Sequence, residues 1–345
     1  MDALRALACL AVVVFHVIGV SPEAGLLVAD GPLRATASLL DLFHMPMFAM
    51  LSGVAYALSP VRPGRAARFV RRRFARIVLP LVTVTTLFLV AQHLVPGTNT
   101  LPPDSWWAAY LMPYAHFWYL QSLIWLLAVV GLIEWLFGGR PTVTALLFVG
   151  AIAAYFGRGW VPDVFSMSGA AGLAPFFVVG MVATRTGGGR PAFALIALAL
   201  GLAAGALTTA LGFPETRDGQ GLALATGTGV CAGLLLSGLV AGTRGRWLHG
   251  LGAASYTIYL YHVFGTAGAR MALYAAGVTD HGVHLALGTA AGVALPWALD
   301  AALRQHRGRL GFAPLFLAGH MPPRRGVPLT EADAASAPAR AATSA

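Results

Sequence analysis

The stretch that decides the fold stands near the beginning of the chain, ALRALACLAVVVFHVIG at residues 3–19. It has the length and composition of a membrane helix, but Arg5 lies near its start and His16 near its end. Ionisable side chains are costly in hydrocarbon and mark candidate functional positions. The stretch is also similar to a secretory signal peptide, yet His16 interrupts its apolar core and residues 17–25 lack a clear small-residue cleavage site. We therefore predict a retained first membrane span.

The rest of the chain has the same apolar character. Its 345 residues are 57% hydrophobic and only 10% charged, whereas soluble domains carry about 25% charged residues. Mean hydropathy is +0.72. Apolar runs long enough to cross a bilayer recur along most of the sequence. We predict an all-α polytopic membrane protein, a bundle of about ten transmembrane helices, at roughly residues 3–20, 39–59, 77–95, 114–136, 142–157, 171–184, 192–212, 222–243, 251–275 and 284–303.

The net charge of +10 is distributed unevenly between the two sides of this predicted bundle. Only Arg34, Arg158 and Arg217 fall in loops on the side opposite the termini. The positive-inside rule then predicts that both termini lie in the cytoplasm, and it accounts for the charge without a nucleic-acid partner. We expect the protein to lie in the plasma membrane. The arginines on the cytoplasmic side are Arg62, Arg65, Arg68, Arg71, Arg72, Arg73, Arg76, Arg140, Arg185, Arg190, Arg244, Arg246, Arg304, Arg307, Arg309, Arg324, Arg325 and Arg340.

The predicted spans divide the chain into a transmembrane domain over residues 1–303 and a cytoplasmic tail over 304–345, rich in Pro, Ala and Arg and expected to be disordered. Cys9 and Cys231 lie in different spans, so a disulfide or a cysteine metal site has little support. His281 and His284 form an isolated H-x-x-H, which is weak evidence for a metal. We predict neither a metal nor a bound cofactor.

Helical periodicity relates the two ionisable groups of the first span. Arg5 and His16 are eleven residues apart, which brings them within roughly 20° of the same helix face and separates them by about 16 Å along the axis. Arg5 therefore lies near the cytoplasmic surface and His16 deep in the bundle. Arg5 alone is equally compatible with a side chain that extends to the lipid interface.

The second span opens with LLDLFHMPMFAMLSG at residues 39–53 and places Asp41 and His44 near the depth of His16. Histidine titrates near neutral pH and a carboxylate can orient it, so this set suits general-base chemistry. The alternative is an interfacial histidine beside an aspartate at a helix start.

The loop at residues 60–76, PVRPGRAARFVRRRFAR, carries seven arginines. Topology alone explains part of this charge. The remainder favours a polyanionic cytoplasmic ligand or anionic lipid headgroups, since guanidinium groups bind phosphate well.

Two further spans carry polar or aromatic groups. The fourth opens with YAHFWYLQSLIW at residues 114–125, where Trp118 and Tyr119 fit either an aromatic belt at the membrane interface or a substrate cavity. The ninth has polar residues at helical spacing, which should face a polar cavity instead of lipid. This polar stripe consists of Ser255, Tyr259, His262, Thr266 and Arg270.

Together these segments resemble the membrane acyltransferase 3 family, including its fucose-4-O-acetylase-like branch. The resemblance covers about residues 2–303. It rests on DALRALACLAVVVFH in the first span, FHMPMFAMLSG in the second, RFVRRRFARIVLP entering the third, HFWYL opening the fourth and LGAASYTIYLYHVF in the ninth. Each segment alone is weak, whereas their order and their positions on these spans are specific.

The resemblance implies transfer of an acyl group, usually acetyl, from acyl-CoA as co-substrate to a hydroxyl of a carbohydrate or glycosylated acceptor. It implies that Arg5 and His16 belong to the active site. It also implies that the basic segment binds the donor through Arg68, Arg71, Arg72, Arg73 and Arg76.

On this hypothesis His16 either removes a proton from the acceptor hydroxyl or takes the acyl group transiently. His44, together with Asp41, would orient His16 or bind the sugar. The substrate cavity would be lined by Trp118, Tyr119, Ser255, Tyr259, His262 and Arg270. The alternative function is a transporter or flippase of a glycolipid or polysaccharide precursor, which would also need many spans and a polar stripe.

Overall fold

The computed structural model describes residues 2–21, 24–98, 103–186, 227 and 246–321, and within these residues it is helical with no β-strand. A π-helical turn at Phe74–Val78 joins two helices, and short 3₁₀ turns occupy Ala115–Phe117, Arg158–Trp160 and Val164–Ser166. The α-helices in the described residues are α1 Asp2–Ile18, α2 Gly31–Asp41, α3 His44–Leu58, α4 Ala66–Arg73, α5 Leu79–Leu94, α6 Ala108–Leu111, α7 Trp118–Phe137, α8 Pro141–Gly157, α9 Met167–Arg185, α10 Arg246–Ala253, α11 Ser255–Ala275, α12 His281–Gln305 and α13 Ala313–Ala318.

Six helical segments in the described part of the chain are long and apolar enough to cross a membrane. Several combine consecutive helices, as α2 with α3 and α4 with α5. Their length of 20 to 30 residues agrees with the roughly 20 residues that a bilayer requires. The segments are Gly31–Leu58, Ala66–Leu94, Ala108–Phe137, Pro141–Trp160, Val164–Arg185 and His281–Gln305. The prediction of an all-α membrane bundle is confirmed.

The prediction of ten spans stays a prediction. The predicted spans at 192–212 and 222–243 lie outside the described residues, apart from residue 227. Helix α1 has 17 residues and is slightly short for a span. Helix α11 has 21 residues, but the polar stripe makes it less apolar than the six segments.

Helix α1 lies at the centre of the bundle and packs against α2, α3, α10, α11 and α12. Small side chains allow this close packing on several sides: Ala6, Ala8 and Cys9 are fully buried. At the first turn, a Cβ atom on Gly252 would lie only 2.1 Å from the carbonyl oxygen of Asp2. The central position of α1 means that its ionisable side chains face protein cavities.

Helices α3 and α9 cross at two glycines. A Cβ atom on Gly53 would lie 1.9 Å from the Phe177 carbonyl oxygen, and one on Gly180 would lie 2.0 Å from the Met50 carbonyl oxygen. Backbones therefore touch directly at this crossing, as small residues permit in membrane bundles.

We expect Gly180→Val to destabilise the bundle by about 1–3 kcal/mol or more, because backbone atoms cannot move aside as a flexible side chain would. Gly150→Val is the matched control, since a Cβ atom there meets no other atom within 4 Å. The measurement is the thermal unfolding midpoint of both variants in the same detergent. Equal midpoints for the two variants would contradict the crossing.

The folded chain extends beyond the predicted domain boundary at residue 303. Helix α12 continues to Gln305, and α13 packs against α5 and the π-helical turn with Leu315 and Ala318 buried. The apolar hexapeptide APLFLA of α13 accounts for this return to the bundle. A disordered tail from residue 304 is therefore wrong for residues 304–321, and 322–345 lie outside the described residues.

Candidate functional site

A cavity of about 460 Å³ lies at the His16 end of α1. It is bounded by α1, the α2–α3 junction, the start of α7, α11 and α12. We call it the histidine pocket. The predicted site residues that line it are His16, Asp41, His44, Trp118, Tyr259 and Arg270, and His116 and His284 line it as well.

His16 presents one free ring nitrogen to the histidine pocket. Its Nδ1 atom lies 2.8 Å from the carbonyl oxygen of Val12, one turn earlier in α1. A carbonyl only accepts, so Nδ1 carries the hydrogen and Nε2 keeps its lone pair in the neutral ring. Nε2 has no hydrogen-bond partner among the described residues. The backbone of α1 thus selects the tautomer that can accept a proton from a bound hydroxyl.

Two more histidines complete a cluster around His16. The His262 ring centroid lies 4.7 Å from that of His16, and the His116 centroid lies 4.9 Å from His262 and 6.3 Å from His16. His262 Nδ1 lies 2.8 Å from the Tyr259 carbonyl oxygen, and His116 Nε2 lies 3.1 Å from the Leu260 carbonyl oxygen. The other nitrogen of each ring is buried and unpartnered. Three acceptor nitrogens therefore stand close together.

The segment that carries His116 is attached to α11 by two hydrogen bonds. His116 Nε2 donates to the Leu260 carbonyl, and the Tyr259 hydroxyl donates to the His116 carbonyl. Ala115 before it has φ +45°, a left-handed conformation that is unfavourable for a residue with a side chain. The bonds to α11 stabilise this turn and place His116 beside His262.

His44 and Asp41 line the histidine pocket, but neither forms a hydrogen bond with His16. His44 Nδ1 lies 2.7 Å from the Leu40 carbonyl oxygen, and the Phe15 ring packs 4.7 Å from the His44 ring. Asp41 is exposed at the end of α2. The Val12 carbonyl, and not His44 or Asp41, accepts the hydrogen of His16 Nδ1, and the role of His44 and Asp41 in orienting His16 or binding the sugar stays a prediction. Both side chains line the pocket, where a bound ligand would meet them.

A second cavity, of about 400 Å³, lies at the Arg5 end of α1. We call it the arginine pocket. Among the predicted site residues it is lined by Arg5, Arg73, Arg76, Tyr119, Ser255 and Tyr259, and it is also lined by Asp300, Arg304, Arg307 and His320.

The structure divides the predicted basic segment into two groups. Arg73, which is half-buried, and Arg76, which is exposed, line the arginine pocket. Arg68, Arg71 and Arg72 are exposed and do not line it. The π-helical turn at Phe74–Val78 follows directly after Arg73. Such turns change the helical register and occur frequently at functional sites.

Three aromatic rings lie between the two pockets. The ring centroids of Phe48, Tyr119 and Tyr259 are 5.5–6.0 Å from one another. The Tyr119 and Ser52 hydroxyl oxygens are 3.0 Å apart. Tyr259 lines both pockets. The aromatic cluster therefore forms the boundary where a molecule in one pocket would meet a molecule in the other.

The polar stripe of α11 follows the same path from one pocket to the other. Ser255 lines the arginine pocket, Tyr259 lines both, and Thr266 and Arg270 line the histidine pocket. His262 is fully buried beside His16.

Sequence reasoning missed His116, Arg304 and Arg307 as site residues. His116 begins the HFWYL segment, but its position at the start of a predicted span suggested that it belongs to a belt of interfacial aromatic residues. The two arginines were assigned to the tail. The i, i+4 spacing of Asp300 and Arg304 was the available signal, and these side chains do form an ion pair of 2.5 Å.

Among the described residues, no group of three or more His, Cys, Asp or Glu side chains is placed to hold a metal ion. In the histidine cluster, each hydrogen-bonded nitrogen points to a backbone carbonyl. The arrangement suits proton transfer.

Comparison with known proteins gives one match. The family model Acyl_transf_3, described as an acyltransferase domain, matches residues 1–301. No curated protein and no solved structure matches the chain.

Proposed function

The chain belongs to the acyltransferase 3 family and is a membrane acyltransferase, and from this premise we propose that it moves an acyl group from acyl-CoA to a hydroxyl of a carbohydrate or glycosylated acceptor. Acetyl is the acyl group we propose, as the resemblance of its motifs implies. The fucose-4-O-acetylase-like branch is part of the same proposal.

The observation that carries this proposal is the meeting of two chemically different pockets at Tyr259. The arginine pocket has the charge to hold the phosphates of a CoA thioester, since guanidinium groups bind phosphate through paired hydrogen bonds. The histidine pocket has the acceptors and donors that suit a polyhydroxylated molecule. The thioester end of the donor would reach the aromatic cluster and present its carbonyl carbon to the histidine pocket.

His16 is the group that acts on the reacting atoms. In direct transfer its Nε2 removes the hydroxyl proton of the acceptor, the oxygen attacks the thioester carbonyl, and the carbon–sulfur bond breaks. The thiolate of CoA then takes the proton from His16. In the covalent alternative Nε2 attacks the thioester carbonyl first and CoA leaves as its thiolate. The acceptor hydroxyl then attacks the acyl-histidine, the carbon–nitrogen bond breaks to free His16, and the hydroxyl proton goes to the thiolate. Both routes convert acyl-CoA and an alcohol into an ester and free CoA.

The other residues of the histidine pocket support this step. His262 lies against His16, and one of its ring nitrogens is an acceptor with no partner. The lone pair of this nitrogen would stabilise the imidazolium that forms when His16 takes a proton. Asp41, His44 and Arg270 line the same cavity and offer polar contacts for the other hydroxyls of a sugar.

The distribution of arginine supports an orientation with both termini in the cytoplasm, and the plasma membrane is the location that we propose. The arginine pocket then opens toward cytoplasmic acyl-CoA. The histidine pocket lies about 16 Å further along α1, on the side where an exported or membrane-linked acceptor would be held by the bilayer and the bundle.

The test is acyl transfer by the purified full chain in proteoliposomes. We expect labelled acetyl-CoA and a panel of glycosides to give a labelled ester together with an equal amount of free CoA. Liposomes without the protein and glycosides with the reactive hydroxyl replaced by hydrogen are the controls. Movement of a glycolipid across the bilayer with no release of CoA would contradict the proposal and favour a transporter.

A further inference from the structure

The last residues that the structure describes, 313–321, which we call the C-terminal strap, close one side of the arginine pocket. His320 Nε2 lies 2.9 Å from an Asp300 carboxylate oxygen, and the Tyr261 hydroxyl donates to the Leu317 carbonyl at 3.0 Å. Ala318, Gly319, His320 and Met321 all line the pocket. These contacts hold the strap against α11 and α12.

Gly319 fixes the strap against the basic segment. Its φ of +64° is unfavourable for a residue with a side chain, and a Cβ atom there would lie 2.6 Å from the Arg76 carbonyl oxygen. The strap therefore approaches the π-helical turn as closely as the backbone allows.

The charges of the arginine pocket do not balance within the described residues. Asp300 is the only acidic residue that lines it. Its carboxylate accepts from the Thr257 hydroxyl and from Arg304 and faces His320. Asp300 is therefore already occupied, and Arg5 pairs with Asp2 at 3.3 Å. Arg73, Arg76 and Arg307 are left in excess.

Arg307 is the arginine of this group that most clearly lacks a partner. Its Nε atom is buried with no hydrogen bond, and the side chain forms no ion pair with a described residue. Arg307 as a whole is half-buried, but a buried N–H group without a partner is costly. An anion in the pocket would remove that cost.

We propose that Arg307, placed beside the C-terminal strap, binds a phosphate group of the acyl donor together with Arg73 and Arg76. This inference rests on the proposed function and extends it to a segment outside the predicted transmembrane domain. The ligand chemistry is a phosphate ester, which a CoA thioester carries and which a lipid headgroup also carries.

The experiment measures the dissociation constant of CoA for the purified full chain in nanodiscs of zwitterionic lipid. We expect Arg307→Gln to weaken CoA binding about tenfold or more, the effect of one charged hydrogen bond. Arg309→Gln removes the same charge two residues away, outside the pocket, and we expect it to change binding by less than about twofold. Equal binding to the wild type and Arg307→Gln would overturn the inference, as would equal losses in both variants.

A second pair of variants tests the strap. Gly319→Val adds a side chain against the Arg76 carbonyl, and we expect it to weaken CoA binding about tenfold by displacing the strap. Gly311→Val imposes the same unfavourable φ, +58°, but meets no atom within 4 Å. If Gly311→Val weakens binding as much as Gly319→Val, the loss comes from backbone strain, and the role of the strap is wrong.

Nanodiscs with added phosphatidylglycerol distinguish the two sources of phosphate. If anionic lipid displaces CoA from the wild type through Arg307, the site belongs to a lipid headgroup and the assignment to the donor is overturned. Unchanged CoA binding to Arg307→Gln leaves the proposed function standing, whereas a wild type that binds no CoA contradicts both.

Discussion

Replacement of His16 by alanine should lower the turnover number of acetyl transfer by about a hundredfold to ten-thousandfold, the contribution of a positioned general base. The physical reason is the free Nε2 atom. The Val12 carbonyl holds the hydrogen on Nδ1, so His16 alone in α1 presents a lone pair to the histidine pocket. The measurement is the initial rate with saturating acetyl-CoA and acceptor.

His93→Ala is the matched control for this variant. His93 makes the same bond to the carbonyl one turn earlier, between Nδ1 and Leu89 at 2.9 Å, but it is exposed and lies outside both pockets. We expect its turnover to stay within about twofold of the wild type. A folded His16→Ala protein that transfers acetyl at the wild-type rate would refute the assigned chemistry.

The same variant separates the two routes to the ester. When the wild type is incubated with labelled acetyl-CoA and no acceptor, label on the protein that disappears in His16→Ala indicates an acyl-histidine intermediate. A wild type that carries no label but transfers acetyl when acceptor is added indicates direct transfer.

The double substitution Arg73→Gln with Arg76→Gln should raise the KM for acetyl-CoA by about a hundredfold or more, since each charged hydrogen bond contributes roughly 1.5–3 kcal/mol. Both residues line the arginine pocket. The KM for the acceptor should change little, because the acceptor is bound in the other pocket. Initial rates at varied donor and acceptor concentrations measure both constants.

The double variant Arg71→Gln with Arg72→Gln is the control, because it removes the same number of positive charges. It removes two arginines from the same basic segment, so the topology signal weakens equally in both double variants. Arg71 and Arg72 are exposed and outside the pocket, and we expect the donor KM to stay within about threefold of the wild type. Equal increases of the donor KM in both variants would mean that the basic segment acts through its overall charge and not through the side chains that line the pocket.

Helical periodicity alone predicts much of the site. The eleven-residue interval predicts that Arg5 and His16 share a face of α1, and each lines a pocket at its own end of that helix. The polar stripe of α11 likewise follows from residues that recur at helical spacing. Both inferences need only the geometry of one helix.

Contacts between segments far apart in the chain cannot be predicted from the periodicity of one helix. His116 meets His262 across more than a hundred residues, through a bond to the Leu260 carbonyl, a bond from the Tyr259 hydroxyl and a left-handed turn at Ala115. Nothing in the residues around His116 distinguishes this arrangement from an interfacial aromatic belt. The orientation of His16 by the Val12 carbonyl was missed because the side chains of His44 and Asp41 were the more evident partners.

The sequence by itself determined that this protein is a helical membrane bundle, because the cost of placing polar groups in hydrocarbon is a property of composition and local spacing. Only the tertiary structure decided which arginines enter the pocket. Arg73 shares α4 with Arg71 and Arg72 but lines the pocket, and Arg76 lies in the π turn that follows. Arg307 enters because α12 and the C-terminal strap return to α11. These placements depend on how helices pack, and packing is decided by contacts between residues far apart in the chain.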